Sequence, residues 1–142
     1  GRLDKESKGL LIMTNDGDLT DRMMRARNGH EKEYIVKVNH KINETFLAQM
    51  SEGVYLEELD TTTRPCKVTG EGEYTFRIIL TQGLNRQIRR MCTALGYRVE
   101  SLMRVRVMNI ELGNLKPGEY RRIQGEELRD LYRMAGMNLP EV

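Results

Sequence analysis

Apolar and polar positions alternate along several segments of the chain, and this pattern predicts β-strands. In residues 74–81, Phe76, Ile78 and Leu80 alternate with Arg77 and Ile79, which is the two-residue period of a half-buried strand. The run at 9–14 (GLLIMT) ends in an Asn-Asp-Gly turn and is a further candidate strand. The remaining candidate strands are residues 33–38, 53–59, 61–69, 97–107 and 109–112.

Helical periodicity is clearest over residues 86–95, with Asn85 as the expected N-cap and Gly96 as the expected stop. We expect shorter helices from Asp18 (as cap) to Arg25, from Asn43 to about residue 51, and over 126–135. At 3.6 residues per turn the helix at 86–95 has two faces. Its apolar face holds Leu84, Ile88, Met91, Cys92 and Leu95, and its polar face Arg86, Arg89, Arg90 and Thr93.

Strands and helices follow one another without strict alternation. This order predicts an α+β fold, with a largely antiparallel or mixed β-sheet flanked by helices. A length of 142 residues fits one domain, covering residues 1–142, with enough chain to bury a substantial core.

The composition narrows the class of protein. Apolar residues make up 39% and charged residues 31% of the chain, as in ordinary globular proteins. No apolar run approaches the ~20 residues of a membrane span, and residues 1–8 are too polar for a secretory signal. Cys66 and Cys92 form no CxxC pair. We therefore expect a cytoplasmic protein with buried thiols, no disulfide and no metal site.

The net charge of +2 conceals one basic region. Between residues 84 and 106 there are six arginines, no lysine and a single acid, Glu100. A guanidinium can bind phosphate through two hydrogen bonds and can stack on a base, so the region indicates a nucleic-acid surface. A solvated arginine-rich face is the alternative.

Composition and spacing name no reaction, because a glycine-rich phosphate loop, a metal cluster and a Ser/His/Asp set are all absent from the sequence. Three segments nevertheless resemble the motifs of RNA pseudouridine synthases. GRLDKESKGLL at 1–11 with TNDG at 14–17 is similar to the catalytic-aspartate motif, and KEY at 32–34 to the tyrosine motif. RIIL at 77–80 with GLNRQIRRM at 83–91 resembles the arginine motif. Within the family, the resemblance is to large-subunit ribosomal RNA synthases of subfamily F.

The resemblance implies the pseudouridine synthase fold and the isomerisation of uridine to pseudouridine in large-subunit ribosomal RNA, with transfer RNA as a further candidate substrate. It implies no cofactor and no metal, RNA but neither DNA nor a membrane as partner, and a monomer. In the family a strand with a lysine-proline motif, and often an S4-type RNA-binding domain, precede the aspartate motif. Because the chain also lacks an initiator Met, we expect it to be part of a longer protein.

The resemblance also implies roles for individual residues. Asp4 corresponds to the catalytic carboxylate, which either attacks C1′ or assists glycal formation. Arg89 corresponds to the arginine that pairs with it and favours its ionised form. Tyr34 corresponds to the tyrosine that stacks on the uracil and is a candidate to remove the C5 proton.

The remaining matched positions concern substrate binding. Ile88 corresponds to an apolar residue that lines the pocket, and Arg2 to a residue that fills the gap left by the flipped-out uridine. The expected phosphate contacts are Arg86, Arg90, Arg104 and Arg106. Many relatives have histidine at the position of Arg86.

Less specific interpretations remain open. From the residues alone, Asp4 could begin a turn, and Tyr34 and Ile88 could be ordinary core residues. At the level of function, the alternatives are an RNA-binding module without activity and a hydrolase that uses Asp4.

Overall fold

A computed structural model describes residues 3–25 and 29–139 as an α+β fold. The main sheet contains β1 (Lys8–Gly9), β2 (Lys32–Val38), β5 (Lys67–Gly70), β6 (Thr75–Leu80), β7 (Val99–Val107) and β8 (Ile110–Glu111). A separate ribbon pairs β3 (Tyr55–Leu56) with β4 (Thr61–Thr62), joined by a 3₁₀ turn at Glu57–Leu59. The helices are α1 (Gly17–Met24), α2 (Glu44–Glu52), α3 (Gln87–Ala94) and α4 (Gly125–Met134).

The main sheet is mixed, as expected. Its strand order is β1-β7-β2-β6-β5, and β8 pairs with β7. Strand β1 runs parallel to β7, whereas the other pairings are antiparallel. The long strands β2, β6 and β7 therefore form the centre of the sheet, and the short β1 lies at its edge.

Helices α2 and α3 pack on one face of the central strands. The predicted alternation in β6 is confirmed, because Phe76, Ile78 and Leu80 are buried while Arg77 and Ile79 are half-buried on the other face. Each fully buried large apolar side chain contributes roughly 1.5–3 kcal/mol. The main core also contains Val36, Val38, Phe46, Met50, Ile88, Met91, Cys92 and Leu102.

A second cluster joins α1 and α4 to the end of the sheet. Leu10, Leu19, Ile110 and Leu131 are buried there. Leu10 and Ile12 pack in this second cluster and not in a strand. The strand predicted over 9–14 is therefore wrong beyond Gly9. After Gly9 the chain leaves the sheet and turns toward α1.

Both predicted helix N-caps, Asp18 and Asn85, are wrong. Helix α2 begins close to the expected start, and the side chain of its N-cap Asn43 accepts a hydrogen bond from Phe46 N–H (2.8 Å). Helix α1 begins two residues earlier than expected, because the side chain of Asp16, rather than Asp18, accepts from Leu19 N–H. At α3 the N-cap position is Arg86 in the left-handed conformation, since the Asn85 side chain instead accepts from a guanidinium.

The two cysteines are free thiols, and Cys92 is fully buried. Burial raises the pKa of Cys66 to about 11 and that of Cys92 to about 12. Both thiols are therefore protonated at neutral pH. None of the helices in the described ranges has the length and apolar character needed to cross a membrane.

Candidate active site

A cavity of about 480 Å³ opens between the centre of the sheet, the loop that carries Asp4 and the first turn of α3. This is within the ~300–1,000 Å³ typical of small-molecule sites. Its apolar lining comes from Leu3, Met24, Leu80, Leu84, Ile88 and Leu102. Its polar side chains include Asp4, Ser7, Lys32, Tyr34, Gln82, Asn85, Arg86, Gln87, Arg89 and Arg104.

The sheet wall of this cavity is formed by side chains on the three central strands. Tyr34 on β2 lies opposite Ile78 on β6 and Arg104 on β7. Burial raises the pKa of the Tyr34 hydroxyl above its usual value, and the Arg104 guanidinium within hydrogen-bonding reach only partly offsets this. The phenol is therefore protonated at neutral pH.

Arg104, which the sequence analysis assigned as a phosphate contact, is buried. Only 3% of its surface is accessible, and its Nε donates to the Leu10 carbonyl (3.0 Å). The strand position of Arg104 directs its side chain into the cavity beside Tyr34, and the predicted phosphate contact stays a prediction.

Arg106 is likewise engaged within the protein. Its Nε donates to Glu33 (2.8 Å), its Nη2 to Glu31 (3.0 Å) and its Nη1 to the Met108 carbonyl (2.6 Å). Glu33 also pairs with Arg77. Arg106 does not line the cavity, and the predicted phosphate contact at Arg106 stays a prediction.

Asp4 lies on the loop that leads into β1. Its side chain is exposed on the loop wall of the cavity, and its carbonyl accepts from Ser7 N–H (2.9 Å) in a tight turn. Two residues later, Glu6 pairs with Arg86 (2.9 Å), and this guanidinium lowers the pKa of the Glu6 carboxyl. The ion pair joins the Asp4 loop to the start of α3.

Gly9 allows the Asp4 loop to reach the sheet. Its φ of +115° is in the region that favours glycine, and an added Cβ would lie 2.2 Å from the Arg104 carbonyl oxygen. Any side chain here would therefore push β1 away from β7.

The turn before α3 is held by a buried glutamine that the sequence did not single out. Gln87 is 4% exposed, and its Oε1 accepts from Leu84 N–H (3.2 Å). Arg86, just before it, has φ +50°, a conformation that costs about 1 kcal/mol or more outside glycine. The only signal in the sequence was that Gln87 is adjacent to the apolar face of the predicted helix.

Arg89 and Asp4 line the same cavity but do not form the expected contact. Arg89 Nη2 lies 3.5 Å from Ser7 Oγ, and within the described part of the chain no ion pair joins it to Asp4 within 4.0 Å. Its Nε is buried without a hydrogen-bond partner there. The Asp4–Arg89 pairing therefore stays a prediction.

Of the other expected binding residues in the described part of the chain, Ile88 lines the cavity and Arg90 does not. Ile88 is buried and lines the cavity. Arg90 donates to the Asn85 carbonyl and side chain (2.9 Å each) and lies outside the cavity. Arg2 lies outside the described residues.

Lys32, to which the sequence motifs assigned no role, also lines the sheet wall. It precedes Tyr34 by two residues on β2, so the two side chains share a face. Burial lowers the pKa of its ammonium group, and the nearby Arg104 adds to this effect. The spacing within the Lys32-Glu33-Tyr34 motif was the available signal.

The site is therefore a cavity with one carboxylate, one phenol and several guanidinium groups around an apolar slot. Over the described ranges, no group of three His, Cys, Asp or Glu side chains is arranged to hold a metal ion. The sequence profile of the RNA pseudouridylate synthase family matches residues 1–94. The chain belongs to this family.

Individual relatives extend this assignment over the whole chain. The chain is 49% identical over 142 residues to the dual-specificity RNA pseudouridine synthase RluF of Escherichia coli (strain K12), covering 100% of this chain and 48% of the relative. It is 35% identical over 129 residues to ribosomal small subunit pseudouridine synthase A of Yersinia pestis, covering 90% of this chain and 55% of that protein. The chain thus spans about half the length of the curated relatives it matches.

A solved structure supports the fold directly. The crystal structure of a pseudouridylate synthase superposes with a TM-score of 0.88 at 31% identity, covering 92% of this chain and 57% of the other. The expected pseudouridine synthase fold is confirmed.

Proposed function

We propose that this chain isomerises uridine to pseudouridine in RNA, with large-subunit ribosomal RNA as the substrate and transfer RNA as a second substrate to test. The observation that carries the proposal is that Asp4 and Tyr34 line one cavity whose apolar slot includes Ile88. A module that only binds RNA has no need for a carboxylate and a phenol in the same cavity.

The reaction breaks the N1–C1′ bond, turns the uracil and forms a C5–C1′ bond. The proton on C5 is lost and N1 gains one, so atoms and electrons balance within the isomerisation. Asp4 acts at the sugar, either by attack at C1′ or by removing a sugar proton during glycal formation. Its exposed position on the loop wall leaves it accessible to a flipped-out nucleotide.

Tyr34 stacks on the uracil and takes part in removing the C5 proton. Because burial raises the pKa of its hydroxyl, the phenol is a weak base by itself. The Arg104 guanidinium favours the phenolate and therefore assists this step. Ile88 forms the apolar side of the slot.

Arginines around the cavity position the RNA. Arg89 orients Asp4 when the nucleotide is bound, a role supported by its buried, unpartnered Nε beside the loop. Arg86 and Arg90, half-buried at the start of α3, contact phosphates. Arg2 fills the space left by the extruded uridine.

The decisive experiment measures tritium release from C5-labelled uridine. Wild type, Asp4→Asn and the control Asp18→Asn are compared on large-subunit ribosomal RNA and on transfer RNA. Asp18 is an exposed acid in the first turn of α1, so its substitution makes the same chemical change outside the cavity. We expect Asp4→Asn to lose more than about 10³-fold in rate and Asp18→Asn to match wild type.

Three outcomes contradict the proposal. Equal release from wild type and Asp4→Asn removes the catalytic assignment. RNA binding by wild type without any release identifies a binding module. Free uracil or cleaved strands identify a hydrolase, because an isomerase produces neither.

A further inference from the structure

Lys32 is a cation in the cavity with no assigned role in the proposed chemistry. It lies at the start of β2, opposite Leu80 on β6, and its side chain lines the sheet wall with Tyr34 and Arg104. It is half-buried, although a lysine side chain normally extends its ammonium group into water.

The charges around Lys32 do not neutralise it. Burial lowers the pKa of Lys32, and the one charged group that contributes to this shift, Arg104, has the same sign and lowers it further. Among the ion pairs of the described residues, none includes Lys32, whereas Arg77 and Arg106 share Glu33. A partly buried cation without a carboxylate partner lowers stability, so its presence at this position calls for a functional explanation.

The cavity as a whole is positive. Among the described residues, its lining contains four cations, Lys32, Arg86, Arg89 and Arg104, and a single carboxylate, Asp4. Such a cavity stabilises negative charge on whatever binds there. Arg86 is already paired with Glu6 outside the lining, which leaves the charges on the sheet wall to act on the base.

The proposed reaction moves negative charge from Asp4 toward the sheet wall of the cavity. When the N1–C1′ bond breaks, its electron pair stays on N1, and the uracil becomes an anion with charge spread over N1, O2 and O4. At the same time Asp4 becomes an ester or accepts a sugar proton, so its own charge is lost. The negative charge therefore passes from the loop wall to the base, which lies beside Tyr34.

We infer that Lys32 is a catalytic residue that donates a hydrogen bond to a carbonyl oxygen of the detached uracil and stabilises its negative charge. This inference rests on the proposed function. The ammonium keeps its protons throughout, so no bond to Lys32 forms or breaks. Because the charge on the base is full only after cleavage begins, the interaction acts on the transition state more than on substrate binding.

The first test separates turnover from binding. We expect Lys32→Met to lower kcat by about 10²–10³-fold, with the Kd for RNA within about threefold of wild type. The matched control is Lys37→Met, on the same strand but exposed on the opposite face, and it should match wild type in kcat. Lys32→Arg should retain part of the activity, because it keeps the positive charge.

Stability provides a second measurement. Because Lys32 is partly buried beside Arg104, Lys32→Met should unfold at the same temperature as wild type or at a higher one. Lower activity with unchanged or higher Tm excludes misfolding as the cause.

Sulfur substitution in the substrate tests the hydrogen bond itself. RNA with 2-thiouridine or 4-thiouridine at the target, labelled at C5, replaces one carbonyl oxygen with a weaker acceptor. For the contacted position, sulfur should slow wild type by about tenfold or more and slow Lys32→Met by no further factor. A purely structural role for Lys32 would instead give additive losses.

The outcomes distinguish this inference from the proposed function. If wild type releases tritium and Lys32→Met has the same kcat, the inference is overturned and the proposed function stands. A weaker Kd with unchanged kcat identifies Lys32 as a phosphate contact and also overturns it, as do additive losses with both thiouridines. No release from wild type overturns the proposed function and, with it, the role of Lys32.

Discussion

The two walls of the cavity are built in different ways. The sheet wall carries Lys32, Tyr34 and Arg104 on the central strands β2 and β7, and paired strands continue on both sides of β2. The loop wall carries Asp4 on a segment that is attached to the sheet through the two-residue β1 and the hydrogen bonds between Leu10 and Arg104. Groups that would face the base are thus fixed by the core, whereas the carboxylate is fixed by a few polar contacts.

This difference separates stability from activity. A substitution beneath the sheet wall should unfold the protein, because it removes buried apolar contacts. A substitution in the attachments of the loop wall should misplace Asp4 while most of the core remains. Small displacements are costly for catalysis, since a shift of about 1 Å can reduce the rate about 10²-fold.

The largest loss of stability should come from Ile78→Ala. Ile78 is fully buried on the core face of β6, and removing a buried Ile side chain costs about 2–5 kcal/mol. Ile79→Ala is the matched control, because the same residue type is next in sequence on the half-buried face and should lose clearly less. Urea unfolding measures both, and equal losses would show that the two faces are equally packed.

Gly9→Ala should have an intermediate effect on stability and a large one on activity. The Cβ would clash with the Arg104 backbone, so β1 should separate from β7 at a cost of roughly 1–3 kcal/mol. We expect tritium release to fall about 10²-fold as Asp4 moves. Gly72→Ala is the control, because its Cβ would meet no atom within 4 Å. Full activity in Gly9→Ala would mean that β1 does not position the carboxylate.

Glu6→Gln should have the smallest effect. It removes the ion pair with Arg86, and we expect a several-fold lower kcat with little change in unfolding, because exposed pairs contribute little to stability. Arg86 lowers the pKa of Glu6, so the pair is intact above the ordinary carboxyl pKa of about 4.3 and is lost as pH falls through the lower folded value. The wild-type and Glu6→Gln rates should therefore converge at acidic pH. A constant ratio would show that the charge of Glu6 is not responsible.

Periodicity predicted the elements whose conformation follows from their own side chains. The alternation in β6 and the apolar face of α3 both correspond to the observed core, and the Asn43 cap depends on a contact only three residues away. These patterns are local, and the sequence contains them in full.

The errors arose where distant residues decide the structure. Residues 10–14 resemble a strand, but Leu10 and Ile12 pack against α1 and α4 instead of extending the sheet. Asn85 has the composition of an N-cap, yet Arg90 and Gln87 determine the turn. The arginine-rich region was interpreted as a nucleic-acid surface, but its sequence gave no indication that Arg104 and Arg106 contact Leu10, Glu31 and Glu33.

For the site, motif resemblance alone grouped Asp4, Tyr34 and Ile88, and all three side chains line the same cavity. Gln87 and Lys32 lie within the motif segments, but the resemblance assigned neither of them a role. Their importance depends on burial and on the charges around them, which only the folded chain defines.

Arg104 connects the two walls. Its backbone carbonyl accepts from Leu10 N–H (2.8 Å) and its side chain donates to the Leu10 carbonyl (3.0 Å), while its guanidinium also reaches the Tyr34 hydroxyl. The residue that anchors the segment behind the carboxylate is thus also the one whose charge opposes the rise that burial causes in the pKa of the phenol. We therefore expect that a displacement of the Asp4 loop that moves Arg104 would also change the acidity of Tyr34.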